Sequence, residues 1–191
     1  MKALHLFDIE QVDEVVSPEK LVQTTLDSPA SEVFTDFKAH RPLTVEGTTP
    51  AADALEMMKQ EHVKMKIVVS PNNDFLGVIS TIELTERLIV SEVAKGVQRH
   101  EVLVSDLMVS RDNLRAFDYE QLQHAKVKEV IQALKDNGLR HCLVVDREHH
   151  HIRGVISSSD IARKLRLPVQ IDAVISFKSI FEAVRGYRYA S

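Results

Sequence analysis

The chain has 191 residues, 44 % of them hydrophobic, enough to bury one generous core or two small ones. A formal charge of −4, with acidic and basic residues mixed throughout, offers no broad electropositive surface to a phosphate backbone. With 5 % aromatic residues and no Trp, stacking platforms are scarce too, so nucleic acid is not expected as a main partner. The single cysteine, Cys142, cannot form an intramolecular disulfide, and no stretch approaches the ~20 apolar residues of a membrane span, so a reducing cytoplasmic setting without membrane contact is expected.

Residues 1–27 read as an N-terminal extension. A lead-in, Ser31-Glu32-Val33-Phe34, precedes a strand expected at 43–45. Pro50 opens a helix well, because its missing N–H would be unpaired there in any case. Ala51, Ala54, Leu55 and Met58, followed by Val63, recur at three- and four-residue steps and predict an amphipathic helix with one buried stripe. Short β-branched runs at 67–69 and 78–79 flank the polar turn 70–74 and read as a strand pair. A second helix is expected over about 82–93, and the polar segment 95–101 reads as a link.

The same order then returns. Leu55 matches Ile131 and Val69 matches Val145, each 76 residues on, while Gly77 matches Gly154 at 77, one residue having been added to the second loop. The lead-in also recurs, as Ser105-Asp106-Leu107-Met108. In the second copy the helix is expected over 127–139, a strand at 142–146, its partner strand within the matching segment 153–161, and a last helix over 160–165. The opening strand lies somewhere in 114–122, a stretch longer than its counterpart, and its register is not fixed by the pattern. The copies are bounded at 28–94 and 102–167. The remainder, 168–191, carries Ile171, Val174, Ile175, Phe181 and Val184 partly at helical spacing and reads as a helical extension that packs within the chain or in a dimer.

An order of strand, helix, strand, strand, helix, with Gly-hydrophobic-hydrophobic-Ser/Thr-x-x-Asp after the third strand, resembles the CBS (cystathionine-β-synthase) domain, twice over, from about Ser31 to Leu167. The resemblance implies an α+β fold of two tandem βαββα repeats packed about a pseudo-twofold axis, with small sheets flanked by helices. It further implies a regulatory module that senses an adenosine nucleotide (AMP, ADP or ATP) in a cleft between the repeats, forms a homodimer and modulates a partner protein. The alternative is a scaffold of the same fold that dimerises without nucleotide.

The motif is complete in the second copy, Gly154 to Asp160. There a carboxylate at Asp160 suits both ribose hydroxyls, and Ser157 and Ser159 suit phosphates near the helix start. Asp160 equally fits a helix cap. Arg140 and His141 stand where similar proteins place basic residues against phosphate, with a solvated Arg and a half-buried core His as the alternative readings. The adenine would lie against 38–43, including Lys38 and Leu43. The first copy departs from the pattern, with Glu83 for Asp and Ile82 for the second serine, so Ser80, Glu83 and Lys64 define a weaker second site.

No cofactor is required by this reading, and no residues for catalysis are found. The six glycines never take Walker, dinucleotide or nucleophile-elbow spacing. His149, His150 and His151 are adjacent in a turn and lack a second ligand pair at zinc spacing, so no metal is assigned. Cys142 and His141, as neighbours on a strand, point to opposite faces.

Overall fold

The computed structural model describes residues 23–167 and 176–188. A 3-10 turn, Ala30–Val33, leads into β1 (Thr35–Asp36), and the first copy follows as β2 (Thr44–Glu46), α1 (Ala51–Gln60), β3 (Met65–Val69), β4 (Phe75–Ser80) and α2 (Glu86–Val93). A second lead-in, α3 (Val104–Leu107) and β5 (Val109–Ser110), precedes β6 (Ala116–Asp118), α4 (Tyr119–His124), α5 (Val127–Asp136), β7 (His141–Asp146), β8 (His151–Ser157) and α6 (Ser158–Lys164). The chain is thus mixed α+β, with two four-stranded sheets of identical order, β2-β3-β4-β5 and β6-β7-β8-β1.

Each sheet has one parallel pair, β2 with β3 or β6 with β7, and then runs antiparallel. Both hairpins carry a bulge at the same place, between Val68 and Val69 and between Val144 and Val145. α1 buries Ala51, Ala54 and Met58 beneath its sheet, and α5 buries Val127, Val130, Ile131 and Leu134 beneath the other, the stripes that the periodicity predicts. Both helices end in the same motif. Val63 donates its N–H to the Met58 carbonyl at 3.0 Å and Leu139 to that of Leu134 at 3.1 Å. The left-handed residue before it is Gly138 (φ 64°) in one copy and His62 (φ 56°) in the other.

The lead-ins change places. β1 opens the chain's first copy in sequence, yet it pairs with β8 of the second, Thr35 opposite Val155 and Asp36 opposite Gly154. β5, ahead of the second copy, pairs with β4 of the first, Gly77 opposite Ser110. The cores follow this exchange: Ala30 and Val33 are buried with Val130, Ile131 and Val144, while Val102 and Val104 are buried with Val45, Val68 and Ile79. Helix starts enforce it, because the first N–H groups have no intrahelical partner. Ala51 donates to the Val102 carbonyl at 2.8 Å and Val127 to that of Ser28 at 3.0 Å.

The motif glycines have their reason here. Gly154 lies in strand β8, where a Cβ on it would stand 2.1 Å from the Thr35 carbonyl oxygen and 2.3 Å from the Phe34 ring. A Cβ on Gly77 would stand 2.2 Å from the Val109 carbonyl oxygen. Only a residue without a side chain lets the lead-in cross so closely.

Three local expectations are corrected or completed. The opening strand of the second copy starts at Ala116, paired with Leu143, and the extra length beyond it is α4, capped by the Asp118 carboxylate accepting from the Glu120 N–H at 3.0 Å. The second helix of the first copy begins at Glu86, not 82. The Ser80 hydroxyl accepts from the Ile82 N–H two residues on (3.2 Å), a turn, whereas the Ser157 hydroxyl accepts from the Asp160 N–H three residues on (3.0 Å), a helix cap. Last, the helix expected in the tail is α7 (Phe177–Arg188), and it packs on the second copy, where Phe177 and Ile180 are buried and Phe181 and Val184 lie against the core. Ile171, Val174 and Ile175 lie outside the described residues.

Candidate functional site

Strand alternation sends Cys142 and Val144 into the second core and leaves His141 and Leu143 on the opposite face, as Lys66 and Val68 alternate with Met65 and Ile67 in the first copy. Met65, His141 and Leu143 line a cleft of about 700 Å³ between the copies. The first copy adds Val78, Ser80, Ile82 and Glu83, and the second adds Arg115, Asn137, Gly138 and Arg140. The cleft therefore draws its acidic turn from one copy and its cations from the other.

The Glu83 carboxylate folds back on its own turn. It accepts from the Ser80 N–H at 2.9 Å and from the Ser80 hydroxyl. Facing it, Arg140 makes no side-chain ion pair among the described residues, and Arg115 donates to Asn137 Oδ1 at 3.2 Å. The His141 ring makes no hydrogen bond to a described residue. No fully buried side-chain nitrogen or oxygen among those residues lacks a partner, so its ring nitrogens open to the cleft. Burial holds the His141 imidazole below the usual histidine range, against the pull of the Glu83 and Asp160 carboxylates, with Arg140 adding to the depression.

The sequence-predicted residues divide differently from the grouping by copy. Arg140 and His141 line the same cleft as Ser80 and Glu83, the residues of the weaker expected site. Ser157, Asp160, Leu43 and Lys38 are not in that lining, although Asp160 remains within electrostatic reach of His141. Asp160 is the third residue of α6, where its carboxylate accepts from the Ser157 hydroxyl at 2.7 Å and pairs with Arg163. Ser159 follows the cap on the first turn of that helix. Leu43 is 45 % exposed, Lys64 is exposed, and the Lys38 N–H donates to Asp36 Oδ1 at 2.8 Å. Arg115, Asn137 and Asp136 join the cleft unheralded by any motif. The one clue was the unplaced opening strand, since Arg115 immediately precedes it.

Two features lie outside the cleft. Cys142 is buried, and burial pushes its thiol up to about 11, which makes it a core side chain and a poor nucleophile. His149 faces Asp146 through Nδ1 at 3.1 Å and stacks near His151, and among the described residues no group of three or more His, Cys, Asp or Glu side chains is placed to hold a metal. No helix among those residues is long and apolar enough to cross a membrane.

The CBS domain profile matches residues 20–90 and 122–167, and the chain belongs to that family. Among solved structures it is similar to an uncharacterized conserved protein of Pyrococcus horikoshii (18 % identity, 77 % of this chain and 98 % of that one, TM-score 0.57). It is also similar to CBSX2, solved in complex with AMP (20 %, 71 % and 93 %, 0.53). A third is the CBS domain pair of protein MJ0100, solved with 5′-methylthioadenosine and S-adenosyl-L-methionine (14 %, 71 % and 94 %, 0.50). At these identities the likeness speaks for the fold. A search of curated proteins gave no match.

Proposed function

We propose that this chain is a regulatory sensor that binds an adenosine nucleotide of the AMP, ADP or ATP class in the cleft between its copies. The observation that carries the reading is the meeting of Ser80 and Glu83 with Arg140 and His141: hydroxyl-accepting groups at one end, and at the other a guanidinium without an ion pair among the described residues beside an open imidazole. A carboxylate suits ribose hydroxyls and a planar guanidinium suits phosphate. The AMP held by CBSX2 supports the class. By the repeat, Ser157, Ser159 and Asp160 with Lys64, Leu43 and Lys38 are the counterpart on the other side of the seam, and we assign them the second site. Homodimer formation, a cytoplasmic setting, control of a partner protein and the absence of catalysis complete the proposal.

A scaffold without nucleotide is the competing reading. Its support is that each motif carboxylate already serves its own turn, Glu83 on Ser80 and Asp160 on Ser157 and Arg163. Calorimetry and thermal melting with AMP, ADP and ATP separate the two. A ligand at a hundred times its Kd adds about 2.7 kcal/mol to the folded state, a rise of roughly 5–10 °C in Tm for a chain of this size. Arg140→Met should abolish that rise while leaving the unliganded Tm nearly unchanged. No heat and no shift with any of the three at millimolar concentration would leave the scaffold standing.

A further inference from the structure

We propose that His141 binds the ligand's phosphate only as it takes up a proton, so that this cleft admits phosphate and proton together; the inference rests on the nucleotide reading above. Its ring lies in the cleft wall beside Arg140, has no hydrogen-bond partner among the described residues, and is half-buried. The charged groups around it come from five places. They are Arg140 beside it, Glu83 on the turn after β4, Asp160 on α6, Arg115 before β6 and Asp136 at the end of α5. Without ligand the ring is held neutral by burial, although a carboxylate from each copy favours its charge. A phosphate dianion arriving at Arg140 adds a further anion that favours the charged ring.

This arrangement distinguishes ligands by what sits at the nucleoside's 5′ position. A phosphate monoester supplies negative charge where Arg140 and His141 meet and draws the proton on. A thioether supplies none, and a sulfonium adds a like charge next to Arg140. The cleft is therefore specific for a phosphorylated nucleoside, and its occupancy is set by pH as well as by concentration.

The sign follows from linkage. Binding raises the imidazole's proton affinity, so between its unliganded and liganded pKa values the Kd falls as pH falls, by up to about tenfold per pH unit for one proton. The test is calorimetry of the full chain with AMP and with ATP, from pH 5.5 to 8, in two buffers of different ionisation enthalpy. His141→Gln is measured in parallel, because the ligand phosphate itself titrates near pH 6. The wild type should take up close to one proton more per nucleotide than the variant, and adenosine should elicit none. Equal uptake by the two proteins would overturn the inference and leave the nucleotide reading intact. No binding of AMP or ATP would overturn both. Should His141→Gln fail to fold, NMR titration of the His141 imidazole in the wild type decides, since its pKa must rise on adding AMP.

Discussion

The two places where a lead-in strand crosses a foreign sheet are built alike and fastened differently. At both, a glycine passes beneath the lead-in backbone, and a lead-in carbonyl holds the first N–H of the neighbouring helix. At the β1 crossing, Arg153 also grips Asp36 through two bonds of 2.7 and 2.6 Å, its guanidinium lies 4.3 Å from the centre of the Tyr119 ring, and α7 covers the same core. The β5 crossing has Leu76 in the position of Arg153 and Ser110 in that of Asp36. The lesson is one of chain distance. β5 joins a sheet made just before it, while β1 must find a strand more than a hundred residues downstream, and the extra fastenings sit at the join with the larger loop to close.

The comparison can be broken most severely at Gly154. Gly154→Val should cost about 4 kcal/mol, because the added side chain must expel the Thr35 backbone and the Phe34 ring together. Hydrogen exchange should then show residues 30–36 opening while the first sheet stays protected. Phe177→Ala should cost about 3 kcal/mol through the cavity left in the second core, lowering the Tm with no effect on exchange in the first copy.

Arg153→Met sharpens the comparison and should cost about 2 kcal/mol, since it leaves a half-buried carboxylate without its cation. The Arg153 guanidinium holds the Asp36 carboxyl below its ordinary range. The pair's contribution is therefore complete above the unfolded carboxylate's pKa and is lost as pH falls through the lower native value. Urea melts between pH 6 and 3 should be steeper in pH for the wild type than for Arg153→Met. The smallest effect is expected at His62, whose positive φ is one that glycine adopts without penalty. His62→Gly should gain roughly 0.5 kcal/mol or slightly more, visible as a small rise in the denaturation midpoint, whereas Gly138→Ala in the other copy should lose stability.

Most of the architecture was legible in the sequence because it is written in short-range spacing. The stripe of α1, the β-branched runs of β3 and β4, and their return 76 residues later each follow from residues a few positions apart. The register of β6 was hidden by α4, which interrupts the repeat between Asp118 and Val127. The exchange of lead-ins was also hidden, since Ser31 to Phe34 and Ser105 to Met108 reveal that a segment recurs and not which sheet it joins. The membership of the cleft was hidden for the same reason. His141 and Ser157 stand opposite each other on neighbouring strands of one copy, so grouping them was natural, yet the cleft joins His141 to Ser80 and Glu83 of the other copy. The late start of α2 turned on whether a serine hydroxyl accepts two or three residues on, a choice that composition does not decide.

The β1 crossing also has a meaning in time. On the ribosome, residues 43–113 hold every strand of the first sheet and can close as they emerge, whereas β1 leaves the tunnel with nothing to pair against. At about 5–20 residues per second, its partner β8 follows roughly ten seconds later. For that interval Val33 and Phe34 lack the core that later covers them.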